Sequence, residues 1–247
     1  MAHDQQKESM RDNKIYVLKA KEILADPRRL AAYIDHTLLK PDARTSDIEK
    51  LCAEAIQYSF KAVCVNPDRV AIAKSSLNDA KTLIASVVGF PLGAHLSQIK
   101  ARETELAIDA GATEIDMVLN IGWLKEKLLA KVASDIREVV KAASSHKVKV
   151  IFETGLLTAD EIGQACKISE DNGAHFVKTS TGFLGRGASV EDVQIMFQNI
   201  SEKVEIKASG GVRDIQFACD LIAAGATRIG TSSGVQLVQA QVAKSSY

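Results

Sequence analysis

The chain has 247 residues, 46% of them hydrophobic and 25% charged, and its 31 Lys and Arg balance 31 Asp and Glu. This is the composition of a soluble globular protein, and a formal net charge of zero argues against nucleic-acid or anionic-membrane partners, which select a basic excess. The length suits one large domain, since an α/β barrel commonly uses about 250 residues.

The polar N-terminus, MAHDQQKESMRDNK, lacks the apolar run of a secretory signal. A helix is expected over Lys14–Ala25, so residues 1–30 read as an N-terminal helical extension and 31–247 as a single barrel domain with a short C-terminal tail. Short β-branched runs then recur at Ala32–Thr37, Lys61–Val65, Thr82–Gly89 and Glu114–Asn120. Four more follow at Lys147–Thr154, Phe176–Thr181, Glu205–Gly211 and Arg228–Ser233. Between them lie helical periodicities at Ser46–Ser59 (with Thr45 or Ser46 as N-cap), Leu96–Ala110, Leu124–Ser144, Thr158–Asn172, Val190–Ile200 and Asp214–Ala224. Only the segment Pro67–Ser76 is short. Three helices run into a glycine stop at Gly111, Gly173 and Gly225.

Eight strands alternating with helices imply a parallel sheet with right-handed crossovers. An open doubly wound sheet competes. Eight even units without a GxGxxG turn after the first strand favour an α/β fold closed as a (β/α)8 TIM barrel with an extra N-terminal helix.

Barrel interiors are normally apolar, which makes Asp35, Asp116, Lys178 and Lys207 conspicuous inside strand runs. The two lysines fall on adjacent strands six and seven, about 4.8 Å apart. Two ammonium groups about 6 Å apart at an effective dielectric near 20 repel by about 2.8 kcal/mol, roughly two pKa units. Desolvation acts in the same direction, so one lysine is expected to be largely neutral near pH 7 and nucleophilic toward carbonyls. Simple ion pairs with Asp116 are the competing explanation, but burying four charges on four strands for stability alone is costly. Glu153 is a weaker candidate, either a helix cap or a carboxylate supporting the site. Cys64, His36, His95 and Trp123 read as core or surface residues, with His36 facing the helices.

Glycines and serines crowd the exits of strands six to eight: Gly182, Gly185 and Gly187, then Gly210 and Gly211, then Ser232, Ser233 and Gly234. The last two loops of a (β/α)8 enzyme often cradle phosphate on backbone N–H groups, while ordinary turn chemistry is the alternative. The cysteines Cys52, Cys64, Cys166 and Cys219 and the five histidines are dispersed, without disulfide or metal-ligand spacing. A cytoplasmic protein without metal or other cofactor is expected.

The motifs YIDHTLLKP (33–41), VCVNP (63–67), VVGFPLG (87–93), EIDMVLNIG (114–122), FETGLL (152–157), FVKTSTGF (176–183), KASGGVR (207–213) and RIGTSSG (228–234) are collinear. Together they resemble the deoxyribose-phosphate aldolase family. The resemblance implies a metal-independent class I aldolase that cleaves 2-deoxy-D-ribose 5-phosphate reversibly to glyceraldehyde 3-phosphate and acetaldehyde. It implies Lys178 as Schiff-base former, Lys207 as the neighbour that lowers its pKa, and Asp116 as proton donor and acceptor through a water. It places Asp35 and Thr37 near the sugar hydroxyls and Gly182, Gly210, Gly211, Ser232 and Ser233 around the phosphate. Arg186 is either a further phosphate ligand or solvated, and Tyr247 either reaches over the barrel mouth or belongs to a loose tail. A homodimer or homotetramer fits the family. Other Schiff-base aldolases, phosphosugar isomerases and a non-catalytic phosphosugar-binding barrel are the rival readings.

Overall fold

A computed structural model describes residues 12–241. Helix α1 (Lys14–Ala25) leads into a 3-10 turn, Pro27–Tyr33, and then strand β1 (Ile34–Leu38). The strands that follow are β2 (Ala62–Val65), β3 (Leu83–Val88), β4 (Glu114–Val118), β5 (Lys147–Ile151), β6 (Phe176–Lys178), β7 (Glu205–Ser209) and β8 (Arg228–Thr231). All pair in parallel and in sequence order, and β8 returns to β1 to close the barrel. The outer ring is α2 (Thr45–Tyr58), α3 (Val70–Leu77), α4 (Ser97–Asp109), α5 (Ile121–Lys125), α6 (Leu129–Ala143), α7 (Ala159–Asp171), α8 (Val190–Gln198), α9 (Ile215–Ala223) and the short α10 (Gly234–Val238).

The alternation of each strand sorts its side chains. Outward residues such as Val63, Ile115, Val148, Val150, Val177 and Ile206 pack beneath the helices in one continuous buried core. Helices begin where a side chain can satisfy the free N–H groups of the first turn: Thr158 and Glu161 form a capping box on α7, while Ser189 and Asp214 cap α8 and α9. Gly225 shows why a stop can require glycine. Its φ is +124°, and a Cβ there would lie 2.4 Å from the Phe197 ring. α1 lies on α9, with Asn13 Nδ2 donating to the Ala223 carbonyl at 3.1 Å and Tyr16 edge-on to Phe197.

Three local expectations are corrected. Neither Thr45 nor Ser46 caps α2; Arg44 is the N-cap, and its N–H donates to the Asp47 carboxylate at 2.8 Å. The periodic stretch 124–144 is not one helix, because Lys127 adopts φ +56° and the backbone turns between α5 and α6. The runs 147–154 and 176–181 are strand only to Ile151 and Lys178. Beyond those points the chains still bond across, Thr154 N to Thr179 O at 3.0 Å and Thr179 N to Lys207 O at 3.1 Å, but they splay out of the ladder to form the barrel mouth.

Candidate active site

Inside the barrel the inward positions of β4 to β8 and β1 carry charge where aliphatic layers are usual. Lys178 and Lys207 are direct neighbours in the β6–β7 register. Both reach one oxygen: Asp116 Oδ2 accepts from Lys178 Nζ at 2.8 Å and from Lys207 Nζ at 2.7 Å. The other oxygen, Asp116 Oδ1, accepts from Lys149 Nζ at 2.7 Å, and Lys149 also pairs with Glu114 at 2.7 Å. Lys207 continues to Asp35 at 2.5 Å. Arg228 then closes the set, bonding Glu114 through both Nη atoms and Asp35 through Nε at 2.8 Å and through Nη2. The network thus holds four cations, Lys149, Lys178, Lys207 and Arg228, against three carboxylates, Asp35, Glu114 and Asp116. All seven are buried.

The surplus cation falls on Lys178. It touches a single carboxylate oxygen, which it shares, and burial drives its pKa below that of a free lysine, with the Lys207 ammonium adding to the fall against the pull of Asp116. Lys207, held by both Asp116 and Asp35, is pushed the other way despite its burial. Although burial opposes ionisation, the surrounding lysines hold Asp116 well below the usual carboxylate range. The arrangement therefore separates two adjacent amines into one that stays an ammonium and one poised to lose its proton.

Lys178 is also the network member that reaches the carboxyl-end mouth. It lines a cavity of about 100 Å³ at the carboxyl end of the barrel, together with Thr37, Thr181, Gly182, Ser209, Gly210, Gly211, Arg213, Thr231 and Ser232. Gly211 has φ +76° and open space where a Cβ would stand, so its backbone can approach a ligand. Gly210 needs to be glycine for a packing reason, since a Cβ there would lie 2.8 Å from Gly187 Cα. The Thr37 hydroxyl donates to the Asp35 carbonyl at 2.8 Å.

Two positions lie elsewhere than beside the cavity. Asp35 sits below, committed to Lys207 and Arg228. Ser233 lines the neighbouring cleft between β1, α2 and α10, which Ser232 also borders. Arg186, half-exposed, forms a two-pronged pair with Asp192, which also accepts from Thr154 Oγ1 at 2.8 Å. Glu153, at φ +57°, accepts from the backbone and hydroxyl of Thr181 and so braces the loop that follows Lys178. Burial raises its carboxyl pKa.

Cys64 is inside the barrel in a small apolar cluster with Leu39, Ala85 and Val87. His36 faces the helices and meets Glu54 at 2.7 Å, while His95 is exposed ahead of α4. Trp123 lies in α5, with Lys131 Nζ 5.8 Å from its ring centre. Tyr247 lies outside the described residues. Among the described residues no group of three or more His, Cys, Asp or Glu is placed to hold a metal ion, and no helix is long and apolar enough to cross a membrane.

Sequence reasoning does not single out Glu114, Lys149 and Arg228, although the signal is present. Glu114 is two residues before Asp116 on the same strand, so it shares its inward face, and Lys149 alternates with the outward Val148 and Val150.

Fold and site define a (β/α)8 enzyme whose carboxyl-end mouth presents a buried amine beside a carboxylate and a second, protonated amine. The chain belongs to the DeoC/LacD family of aldolases, whose model matches residues 29–240. It is 52% identical over 217 residues to a deoxyribose-phosphate aldolase of Staphylococcus carnosus, covering 88% of this chain and 99% of the relative. It is likewise 52% identical over 219 residues to a deoxyribose-phosphate aldolase of Bdellovibrio bacteriovorus, covering 89% and 100%. Among solved structures, the tetrameric deoxyribose phosphate aldolase of Aeropyrum pernix superposes with a TM-score of 0.83 at 32% identity, covering 91% of this chain and 95% of that one. The protein is an aldolase and therefore a lyase.

Proposed function

We propose that this aldolase cleaves 2-deoxy-D-ribose 5-phosphate reversibly to D-glyceraldehyde 3-phosphate and acetaldehyde, with Lys178 as the Schiff-base amine. The observation that carries the reading is the position of Lys178. It is the network amine with the fewest anionic contacts, and it stands where the buried charges meet the cavity ringed by Gly182, Gly211 and Ser232. The relatives named above carry the same activity in their names.

Unprotonated Lys178 adds to C1 of the open-chain aldehyde, and the carbinolamine loses water to give an iminium. The 3-hydroxyl then gives up its proton as the C2–C3 bond breaks, and the bonding pair moves into the iminium to form an enamine. Glyceraldehyde 3-phosphate leaves. Protonation of the enamine at C2 and hydrolysis release acetaldehyde and restore the amine. Asp116, ionised beside the nitrogen, stabilises the iminium, and Asp116 with Lys207 passes protons through a water to and from the substrate. Gly182, Gly210, Gly211 and Ser232 hold the phosphate by backbone N–H and hydroxyl groups, with Arg213 at the rim and Thr37 beside the sugar, while Ser233, whose N–H is taken by Thr231 Oγ1, supports the loop from the neighbouring cleft. Asp35 serves from below, by fixing Lys207.

No metal or other cofactor enters these steps. The protein works in the cytoplasm, in keeping with four buried, unpaired cysteines, and assembles as a homodimer or homotetramer. The oligomer is supported by the tetrameric relative and is read by light scattering.

Replacing Lys178 by Arg tests the reading against a barrel that only binds phosphosugars. Arginine keeps the charge but cannot form the imine, so turnover of deoxyribose 5-phosphate is expected to vanish while ligand affinity persists. Turnover retained in this variant sinks the Schiff-base assignment.

A further inference from the structure

The charge network does not end at the catalytic mouth. It runs down the barrel axis from Lys178 to Asp116, Lys149, Glu114 and Arg228, and the last two open on a cleft at the amino-terminal end, beside Lys61, His146 and Lys147. Glu114 and Lys149 have no path to a substrate bound in the mouth, because Asp116 and Lys178 lie above them. Their geometry is nonetheless tightly specified. Lys149 is fully buried and holds one oxygen of Asp116, leaving only the other for the two upper lysines. Glu114 is held by Lys149 on one side and by both Nη atoms of Arg228 on the other.

We propose that Lys149 and Glu114 are positioning residues that act from the far half of the barrel by setting its interior charge count: four cations against three carboxylates leaves one amine to go unprotonated, and geometry makes that amine Lys178. The inference rests on Lys178 as the reactive amine of the proposed aldol cleavage.

The groups facing Lys178 from the surrounding elements support the count. From β1 comes Asp35, from β4 Asp116 and Glu114, from β7 Lys207 and from β8 Arg228, all already paired. Cys64 on β2 is a thiol whose pKa burial pushes up, so it stays neutral. Glu153, after β5, bonds Thr181 and makes no ion pair with any member of the network. Phe176, two residues before Lys178 on β6, lies under the lower cations, its ring centre 5.7 Å from Lys149 Nζ and 5.8 Å from the Arg228 guanidinium carbon.

The count makes predictions of opposite sign. Lys149→Met balances three cations with three carboxylates, so Lys178 keeps its proton to higher pH. Glu114→Gln leaves two surplus cations, so Lys178 loses its proton at lower pH. A unit charge about 6–10 Å away at an effective dielectric near 20 moves a pKa by about one to two units. The double variant restores one surplus cation and returns the value toward that of the parent.

The test is competitive acetylation of the full chain with acetic anhydride between about pH 6 and 10, following the Lys178 peptide by mass spectrometry. Folding of each variant is checked by circular dichroism. The expected result is a titration midpoint about one unit or more higher in Lys149→Met, about one unit lower in Glu114→Gln, and near the parent in the double variant. Midpoints that stay put, or that move the same way in both single variants, overturn the proposal. Because the signs are opposite, either folded single variant carries the test alone. Acetylation needs no aldolase activity, so the two readings fail separately. Lys178 trapped as a Schiff base with unmoved midpoints sinks only the charge count, whereas shifted midpoints without a Schiff base sink only the function.

Discussion

Removing the Lys207 ammonium probes the mouth of the network directly. Lys178 and Lys207 both lie within 2.8 Å of Asp116 Oδ2, which puts their nitrogens about 5 Å apart. At an effective dielectric near 20 their repulsion is about 3 kcal/mol, or about two pKa units. In Lys207→Met that repulsion disappears and Asp116 Oδ2 is left to Lys178 alone, so both changes raise the pKa of Lys178. A nucleophile with a raised pKa is active only at higher pH. The acid limb of kcat/KM for deoxyribose 5-phosphate should therefore move up by about two units, with roughly a 100-fold loss well below the new midpoint and partial recovery in alkali. Acetaldehyde release coupled to alcohol dehydrogenase reads this across the pH range. Lys207→Arg keeps the charge and should leave the limb in place. A uniform loss in Lys207→Met with an unmoved limb would refute electrostatic activation of Lys178 by its neighbour.

Three further outcomes follow from the same geometry. Gly211→Ala has room for its methyl group but pays about 1–2 kcal/mol for a φ of +76°; KM for the phosphorylated sugar should rise several-fold while turnover of unphosphorylated deoxyribose is unchanged. Arg228→Met leaves Asp35 and Glu114 without their shared guanidinium deep in the barrel, a loss of about 3–5 kcal/mol or about 10 °C in Tm. Arg186→Met, which breaks a pair whose arginine is half-exposed, should cost under about 1 kcal/mol in the same calorimetric comparison.

The barrel was legible because each strand and helix announces itself locally. Eight β-branched runs, three glycine stops and the Lys14–Ala25 periodicity all correspond to elements of the closed sheet and its helices. The ends of β5 and β6 were less legible, since Phe152–Thr154 and Thr179–Thr181 have strand composition but are pulled out of the ladder by the closing mouth. Lys127 gives no sequence warning of a left-handed backbone, which is why two helices read as one.

At the site, Asp116, Lys178 and Lys207 stood out as charges in strands, and the structure brings them onto one carboxylate oxygen. Which lysine surrenders its proton was given only by the family resemblance and not by the residue pattern, because it depends on the other charges. Lys149, Glu114 and Arg228 enter from different strands, and only the barrel register sets them beside Asp116 and Asp35. Arg186 looked available for phosphate because Asp192, six residues on, becomes its partner only once α8 has formed.

The most direct measurement is reduction with borohydride in the presence of deoxyribose 5-phosphate, followed by peptide mass spectrometry. A stable adduct on Lys178, and on no other lysine, is the expected result. An adduct on Lys207 instead would reverse the two amine roles, and turnover without any lysine adduct would contradict Schiff-base chemistry in this barrel.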